Sequence, residues 1–527
     1  MILDEIELTQ NLGHSGYKKI LSKYPKNGNG IFSHDELISF YKAQVKSGNR
    51  EFNQATLDKI RMKPTRTISG VAPVTVLTKP YPCPGKCIFC PTDVKMPKSY
   101  ISSEPGAQRA ARNSFDPYLQ TYNRLLAFSN TGHNTDKTEL IILGGTWSYY
   151  PKNYRLWFIK RCFDAMNDFP DKDNRKVEIS EEKTTWEDIY QVQKSNENAE
   201  TRNVGLVVET RPDYINKEEL IDLRRLGVTK IQIGVQNLND EILRINGRGH
   251  TSKQVIDAIN AIRSSGFKVH IHWMPNLFGS TFKADKEDYL NVFKLIMPDE
   301  MKIYPTSIIR GTVLNRFYEQ GRYKPYTFDE LLDLLTFCFL NTPRYCRLSR
   351  VVRDIPSQEI AAGNKHSNFR QIAENQLIKE GKECECIRCR EIRGAKTQMD
   401  NLLYEEIVYK TPSSREYFMS YKTNENDKLV GFLRLSFPLK SSVLIDELSN
   451  SAIIREVHVY GQVAGLSSKS KDRSQHIGIG KSLIQKAIKI AEKKKYKDIA
   501  VISAIGTREY YRAQGFEDGD LYLHKAI

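Results

Sequence analysis

Six short apolar runs, VAPVTVL, ELIILGG, VGLVVET, KIQIGVQ, KVHIHWM and MKIYPTS, recur between residues 70 and 310 with longer amphipathic stretches between them. Alternating strand and helix signals require a parallel sheet with helical crossovers, doubly wound or barrel-like, because parallel neighbours cannot be joined by a tight turn. Six strands fall short of a complete eight-fold barrel. In either architecture ligands gather at the carboxyl ends of the strands. The segments CPGKCIFC (83–90), GGT (144–146), ETRPD (209–213) and GVQN (234–237) are placed there.

Beyond this region the pattern changes. Residues 312–380 read as a helical connection, and from about 400 the runs EYFMSYK, KLVGFLRLSF and AIIREVHVYG predict antiparallel strands, followed by a Gly-punctuated helix near Gly478. A chain of 527 residues that is 40% hydrophobic has room for two or three cores. The expected layout is a basic helical arm over 1–65, a partial α/β barrel over 66–320, a helical, cysteine-bearing linker over 321–400 and an α+β domain over 401–527. In the arm, Lys42, Lys46, Arg50, Lys59, Arg61, Lys63 and Arg66 make either a phosphate-touching surface or a solvated helical face.

Lysine and arginine number 79 against 63 acids, a formal charge of +16, and a field of that sign favours a polyanionic partner. No run of 18 apolar residues occurs, and the opening MILDEIELTQ carries acids where a leader carries bases and an apolar core. A cytoplasmic protein without membrane contact is expected.

Nine cysteines, six of them in two tight clusters, argue against a secreted disulfide framework. Cys162, Cys338 and Cys346 lie in apolar surroundings and are expected in the core. Cys83, Cys87 and Cys90 have the spacing C-x3-C-x2-C on a loop just after a strand. Zinc takes four ligands, and no histidine is near. Three thiolates can instead hold three irons of a four-iron cluster and leave the fourth open to an amino and a carboxylate group. Cys384, Cys386 and Cys389, spaced C-x-C-x2-C with no Gly-rich loop nearby, fit a structural zinc ion that clamps a linker, with a redox thiol pair as the rival. A fourth zinc ligand is then needed, and His366 is the nearest histidine. In the last domain QHIGIGKSLI opens a helix with Q-x-x-G-x-G, and free backbone N–H groups at such a start hold phosphate. Glu456 and His458, two apart on a strand, share a face, where they activate water or an acceptor or simply bond within the sheet.

The first cysteine spacing ahead of a parallel barrel resembles the radical S-adenosylmethionine (SAM) enzymes, whose 4Fe-4S cluster donates an electron to the sulfonium of SAM. By that likeness Gly144, Gly145 and Thr146 offer backbone groups to its methionyl part, Glu209 and Arg211 lie near its ribose and carboxylate, and Gln232 and Gln236 are further candidates. The order REVHVYG, QHIGIG, GTREYYRAQGF resembles the GNAT acetyltransferases. Gln475, Ile477, Gly478, Ile479, Gly480 and Lys481 would then cradle the pyrophosphate of acetyl-CoA. Tyr510 or Tyr511 would set a phenol beside the thioester sulfur, with aromatic packing as the alternative.

Together with EPGAQRAARNSFDPY, RGHT, SGFKVHIHWMPNL, KIYPT, IRGT and VVRDIP, these stretches resemble the catalytic-subunit family of Elongator, in its bacterial or archaeal form, from about residue 64 onward. The resemblance implies a tRNA carboxymethyluridine synthase, an acyltransferase that uses SAM, acetyl-CoA, a 4Fe-4S cluster and zinc. It would attach a carboxymethyl group to carbon 5 of the wobble uridine in the anticodon region, without need of the other Elongator subunits. It further implies two cofactor sites that face each other across the domain interface, with a flipped base between them. The alternative is a protein lysine acetyltransferase whose radical SAM-like domain is structural.

Overall fold

The computed structural model describes residues 1–10, 12–26, 30–173, 175, 180–393, 401–460 and 477–527. Its first half holds β1 (Ala72–Leu77), β2 (Lys137–Leu143), β3 (Arg202–Thr210), β4 (Lys230–Gln236), β5 (Lys268–Trp273), β6 (Glu300–Ile303), β7 (Ile308–Ile309), β8 (Arg347–Val351) and β9 (Ile360–Ala362). Strands β1 to β6 and β8 pair in that order and in parallel throughout, while β7 and β9 form a separate antiparallel ribbon. All six expected strands are therefore present, and a seventh, β8, extends the sheet. Residues 312–380 are not purely helical as expected: Arg347–Val351 lies between helices Phe328–Leu340 and Phe369–Lys379 and pairs with β6. The end strands β1 and β8 do not pair with each other, so the sheet is an open half-barrel.

Side-chain alternation sorts the two faces. Ile231, Ile233 and Val235 of β4, Val269, Ile271 and Trp273 of β5, and Met301 and Ile303 of β6 belong to the main core. The intervening Lys230, Gln232, Lys268, His270, His272, Glu300 and Lys302 share the other face, the inside of the half-barrel. Every residue of β4 is buried, as a central parallel strand covered on both sides requires. Capping boxes at Thr185/Asp188, Thr251/Gln254 and Thr327/Glu330 start three of the helices, each satisfying backbone donors that the helix itself leaves orphaned.

The second sheet comprises β10 (Leu402–Lys410), β11 (Ser414–Thr423), β12 (Leu429–Pro438), β13 (Ser451–Val459), β14 (Asp498–Val501), β15 (Glu517–Asp518) and β16 (Leu523–Ala526), ordered β10-β11-β12-β13-β14-β16-β15. All pairs are antiparallel except β13 with β14, and those two meet only over Ser451–Ile454 and Asp498–Val501. Past Ile454, β13 stays on β12 and leaves β14, which opens a wedge beside the helix Ile477–Lys493. A bulge in the β12–β13 register leaves Arg455 without a cross-strand partner and turns its side chain out of the ladder.

That side chain joins the two sheets. Arg455 is fully buried and binds Asp299, just before β6, at 2.7 and 2.8 Å, and Glu416 of β11 at 2.9 Å. Arg434 bonds Glu456 at 2.9 Å and the Tyr345 carbonyl at 2.8 Å, and Lys268 pairs with Glu456. Arg224 donates to the carbonyls of Ser503 and Leu521, and the Tyr522 hydroxyl to that of Ser265. The barrel groups involved sit at or before strand starts, so the second sheet closes the amino end of the half-barrel. One hydrophobic cluster runs through both.

The first sixty residues form helices Ile2–Leu8, His14–Lys23, His34–Lys46 and Gln54–Ile60 around a small core of their own, including Ile6, Ile38, Tyr41 and Ile60. Four of the seven basic residues of the arm are held internally. Lys42 donates to the Ser129 carbonyl, Arg50 pairs with Asp4 and Glu7, Lys59 binds the carbonyls of Ile6 and Glu7, and Arg61 binds Asp58 and the Gly132 carbonyl. Lys46, Lys63 and Arg66 are exposed and carry no ion pair among the described residues. No described helix is long and apolar enough to cross a membrane.

Candidate active site

The loop after β1 brings Cys83, Cys87 and Cys90 to the carboxyl end of the half-barrel, each half-buried. Backbone bonds fix it on both sides: Ile88 N–H to the Asn246 carbonyl at 3.2 Å, and Leu314 N–H to the Ile88 carbonyl at 2.9 Å. Arg248 Nη1 donates to Cys87 Sγ at 3.2 Å, and Cys83 Sγ lies 3.6 Å from Thr146 Oγ1. Burial, then the neighbouring Cys87, pushes the Cys90 thiol up to about 11. A bound cation must therefore be present for that sulfur to serve as a thiolate ligand.

A cleft opens beside the loop, lined by Gly145, Thr146, Glu209, Arg211, Gln236 and Tyr304 among others. Gly144 (φ 128°) and Gly145 (φ 81°) turn the chain in a region closed to other residues, and a Cβ on Gly144 would overlap the Thr78 hydroxyl. Backbone groups are thereby bared where β2 ends. Arg211 is held by Asp213 at 2.9 Å and by the Arg248 carbonyl at 2.9 Å, and its buried Nη1 has no partner. A guanidinium so fixed with one donor to spare suits a carboxylate. Burial lifts the Glu209 carboxyl above its usual range, against the pull of Lys302, Arg353 and Arg248. Gln236, in the left-handed region at φ 70°, has an orphaned Oε1 beside the cleft. Gln232 lies deeper, accepting from Lys302 at 2.5 Å and sharing a 2.9 Å bond with His272. Arg248, Lys302 and Arg353 also line the cleft, unexpected from the sequence although they stand in RGHT, KIYPT and VVRDIP. Arg353 is anchored by Glu104 at 2.6 Å and the Ser99 carbonyl at 2.5 Å.

Among the described residues only Cys384, Cys386 and Cys389 bring three such ligand atoms within 4.8 Å of one another. Tetrahedral zinc with ~2.3 Å bonds sets its sulfurs about 3.8 Å apart, so this trio fits a single ion. Cys83, Cys87 and Cys90 are spread wider and fit a larger, multi-iron guest. Cys384 and Cys389 bond to Cys386 and, with Arg370, hold its thiol well below the ordinary range. The short helix Ile387–Arg390 ties this turn to both sheets: Ile387 N–H bonds the Cys346 carbonyl at 3.0 Å, Arg390 bonds Asp427 at 3.0 Å, and Ile392 N–H bonds the Leu429 carbonyl at 3.1 Å. His366 is exposed, packs on Phe328 and Phe369, and does not join the cluster. Glu374 Oε1 accepts from Cys389 Sγ at 3.5 Å. Cys162, Cys338 and Cys346 are fully buried, as expected.

At the other end of the half-barrel, the wedge between β13 and β14 faces the start of the helix at Ile477. Gly478 is exposed there with open space around it, Ile479 is buried, and Lys481 points to solvent. Gln475 lies outside the described residues. The Tyr510 hydroxyl packs against Gly480, so closely that a Cβ there would meet it at 2.7 Å, whereas Tyr511 is buried on Phe516. Of the two phenols, Tyr510 is the one at the helix opening. Burial lowers His458 to about 4, so its imidazole is neutral at pH 7, and its Nε2 has no partner. Glu456 is a held anion: burial opposes its charge, but Lys268 and Arg434 more than compensate. A carboxylate clamped by two cations is a weak base, so of this pair His458 is the freer group.

A buried polar chain links the two ends through the barrel interior. Glu456 pairs with Lys268, Lys268 with Glu300 at 3.3 Å, and Glu300 lies 3.4 Å from His270 Nδ1. The ring of His270 is 5.9 Å from that of His272, which lies 3.6 Å from Glu209 in the cleft. The two candidate sites therefore border one barrel interior, the cleft at its carboxyl end and the wedge at its amino end.

An open parallel sheet with a cysteine loop after its first strand defines a radical SAM domain. Residues 81–287 match the model of the Radical SAM superfamily, and residues 298–379 that of the Radical_SAM C-terminal domain. The tRNA uridine(34) acetyltransferase of Methanocaldococcus jannaschii is 37% identical over 100% of this chain and 96% of its own length, and Elongator complex protein 3 of Homo sapiens 34% over 90% and 88%. The solved archaeal Methanocaldococcus infernus Elp3 with an N-terminal deletion superposes with a TM-score of 0.73 at 34% identity, covering 88% of this chain and 100% of that one. The chain belongs to the Elongator complex protein 3 family, and that family's radical SAM domain implies a 4Fe-4S cluster and SAM.

Proposed function

We propose that this chain modifies the wobble uridine of tRNA, attaching a carboxymethyl group to carbon 5 with SAM and acetyl-CoA. One observation carries the reading: the cysteine-ringed cleft and the wedge beside the helix opening share a single polar barrel interior. When bound, the cluster on Cys83, Cys87 and Cys90 with SAM supplies one-electron chemistry able to remove a hydrogen atom from an unactivated carbon. The bared backbone at Gly144, Gly145 and Thr146 orients SAM's amino-acid part, Arg211 takes its carboxylate and Glu209 its ribose. At the far end, backbone amides of Ile477 to Lys481 receive the pyrophosphate of acetyl-CoA, aided by the helix dipole. The Tyr510 hydroxyl donates to the departing thiolate, the buried Tyr511 walls the pocket, and His458 Nε2 takes the proton of the attacking water. Glu456 positions Lys268 and Arg434. Zinc on Cys384, Cys386 and Cys389 holds both sheets in register, since two half-sites in separate domains act together only if their spacing is fixed.

In this scheme the N-terminal helices touch tRNA through Lys46 and Lys63, with Arg66 just beyond them, and the 321–400 linker lends β8 to the barrel sheet. The enzyme acts in the cytoplasm, where thiols stay reduced, and needs no further Elongator subunit. The test is anaerobic reconstitution with SAM, acetyl-CoA, reductant and tRNA, followed by nucleoside analysis. Carboxymethyluridine at the wobble position, with acetyl-CoA consumed only when tRNA is present, is the expected result. Acetyl-CoA hydrolysis at the same rate without tRNA would overturn the reading, and acetylation of a lysine peptide undiminished by Cys87→Ser would replace it.

A further inference from the structure

The end of the second sheet remote from the helix opening carries cations that the proposed reaction leaves unused. Lys410 closes β10, Arg415 stands at the start of β11, and Lys493, Lys494 and Lys495 lie where the helix from Ile477 ends. They border a groove of about 780 Å³ with no acidic residue in its lining. Two aromatic rings, Phe437 and Tyr496, line it, and Tyr417 packs behind Phe437. The Phe437 ring lies 5.1 Å from that of Tyr496 and 5.5 Å from that of Tyr417, and the Lys494 ammonium sits over Tyr417 and Phe437 at 5.5 and 5.4 Å.

None of the five cations makes an ion pair or side-chain hydrogen bond with another described residue. Near the opposite end of the same sheet, Arg344, Arg390 and Lys422 share the carboxylates of Glu405 and Asp427. Lysines at a helix end are partly explained by the helix dipole, but Lys410 and Arg415 come from strands and have no such reason to be there. Unneutralised charge around clustered aromatic rings is the surface that a nucleic-acid backbone takes, with cations on phosphates and rings against sugar or base.

We infer that this groove is a second RNA contact, which holds backbone phosphates of the tRNA away from both candidate cofactor sites. The helix of 17 residues places it roughly 25 Å from the candidate pyrophosphate cradle. This rests on tRNA being the substrate, and the test separates the two claims. Binding of a full-length tRNA transcript to the whole chain is measured over a range of salt for the wild type, for Lys410→Gln/Lys493→Gln/Lys494→Gln/Lys495→Gln, and for the matching four-arginine variant. The glutamine variant should lose about 1 from the log–log salt slope per phosphate contact, two to four in all, and bind at least roughly tenfold more weakly at low salt. The arginine variant should bind like the wild type, and all three should melt at one temperature. An unchanged slope in the glutamine variant overturns the groove while sparing the substrate reading. Failure of the wild type to bind any tRNA overturns both. Groove-dependent binding of polyglutamate, with tRNA affinity unaffected, marks an acidic-protein surface and overturns the inference as well.

Discussion

The loop at residues 83–90 and the turn at residues 384–389 each present three cysteines, one of which accepts from an arginine elsewhere in the chain, yet they differ in spacing, burial and surroundings. The first trio is half-buried at the mouth of a cleft, its sulfurs spread beyond what one ion spans, with Arg248 donating to Cys87 at 3.2 Å. In the second, Cys384 and Cys386 are buried, the sulfurs converge within 4.8 Å, and Arg370 donates to Cys389 at 3.3 Å. A ligand set that must leave one metal position free for a reactant is open and wide, whereas one that serves as a rivet is closed and tight. What separates the two is the backbone that carries them. The first follows a barrel strand into the ligand cleft, and the second is pinned between β8 and β12 by backbone bonds from Ile387 and Ile392.

Loss of one sulfur from each trio should break this contrast most sharply. Cys87→Ser should abolish tRNA modification altogether while leaving the far-ultraviolet spectrum and the melting temperature unchanged; a large drop in melting temperature would make the first trio structural. Cys386→Ser should do the reverse at first order. Melting falls by an amount worth several kcal/mol, because a structural metal contributes its binding energy to folding, and activity declines as the sheets lose register. Equal melting of Cys386→Ser and wild type would deny the clamp.

The two arginines sharpen the comparison at smaller cost. Outer partners of metal ligands typically matter by about 10–100-fold in affinity or activity. Arg370→Ala should release zinc faster to a chelator by that order without altering the iron site's spectrum. Arg248→Ala should slow modification by a similar factor and lower the potential of the iron site, since a donor to sulfur stabilises the reduced form. Identical effects of both substitutions on both metals would erase the distinction.

The smallest effect touches neither trio. Asp498 at 2.9 Å and Glu447 at 3.0 Å raise His524 to about 9. A folded pKa above the ordinary 6.5 means that the stabilisation is complete below about pH 6.5 and is lost as pH rises through about 9. Because the site is partly open to solvent, it should be worth only about 1 kcal/mol. His524→Asn should flatten the melting temperature between pH 7 and 10, and a persistent slope in that variant would place the titration elsewhere.

Much of the barrel was legible because its strands repeat apolar residues with period two between amphipathic helices. RLSRV of β8 escaped because it is short, charged at both ends of its first four residues, and lies between two helices. The polar interior was also visible in principle: K-I-Q-I in β4, K-V-H-I-H in β5 and E-M-K-I in β6 alternate polar with apolar residues, a pattern unneeded if both faces met only apolar neighbours. Which end of the barrel the second sheet would close was not legible, because that depends on Arg434 and Arg455. Each follows an apolar run, LVGFL or AII, and Asp299, the carboxylate that receives them, lies more than a hundred residues away. The basic arm likewise read as exposed charge, whereas Arg50 is paired with acids of the first helix and Arg61 with Asp58 of the helix it ends.

Iron and zinc counted in the same anaerobically purified protein, for the wild type and the two cysteine variants, bear most directly on the division between the trios. The wild type should carry about four irons and one zinc, Cys87→Ser zinc alone, and Cys386→Ser iron alone. Zinc lost from Cys87→Ser, or no iron in the wild type after careful reconstitution, would contradict the assignment.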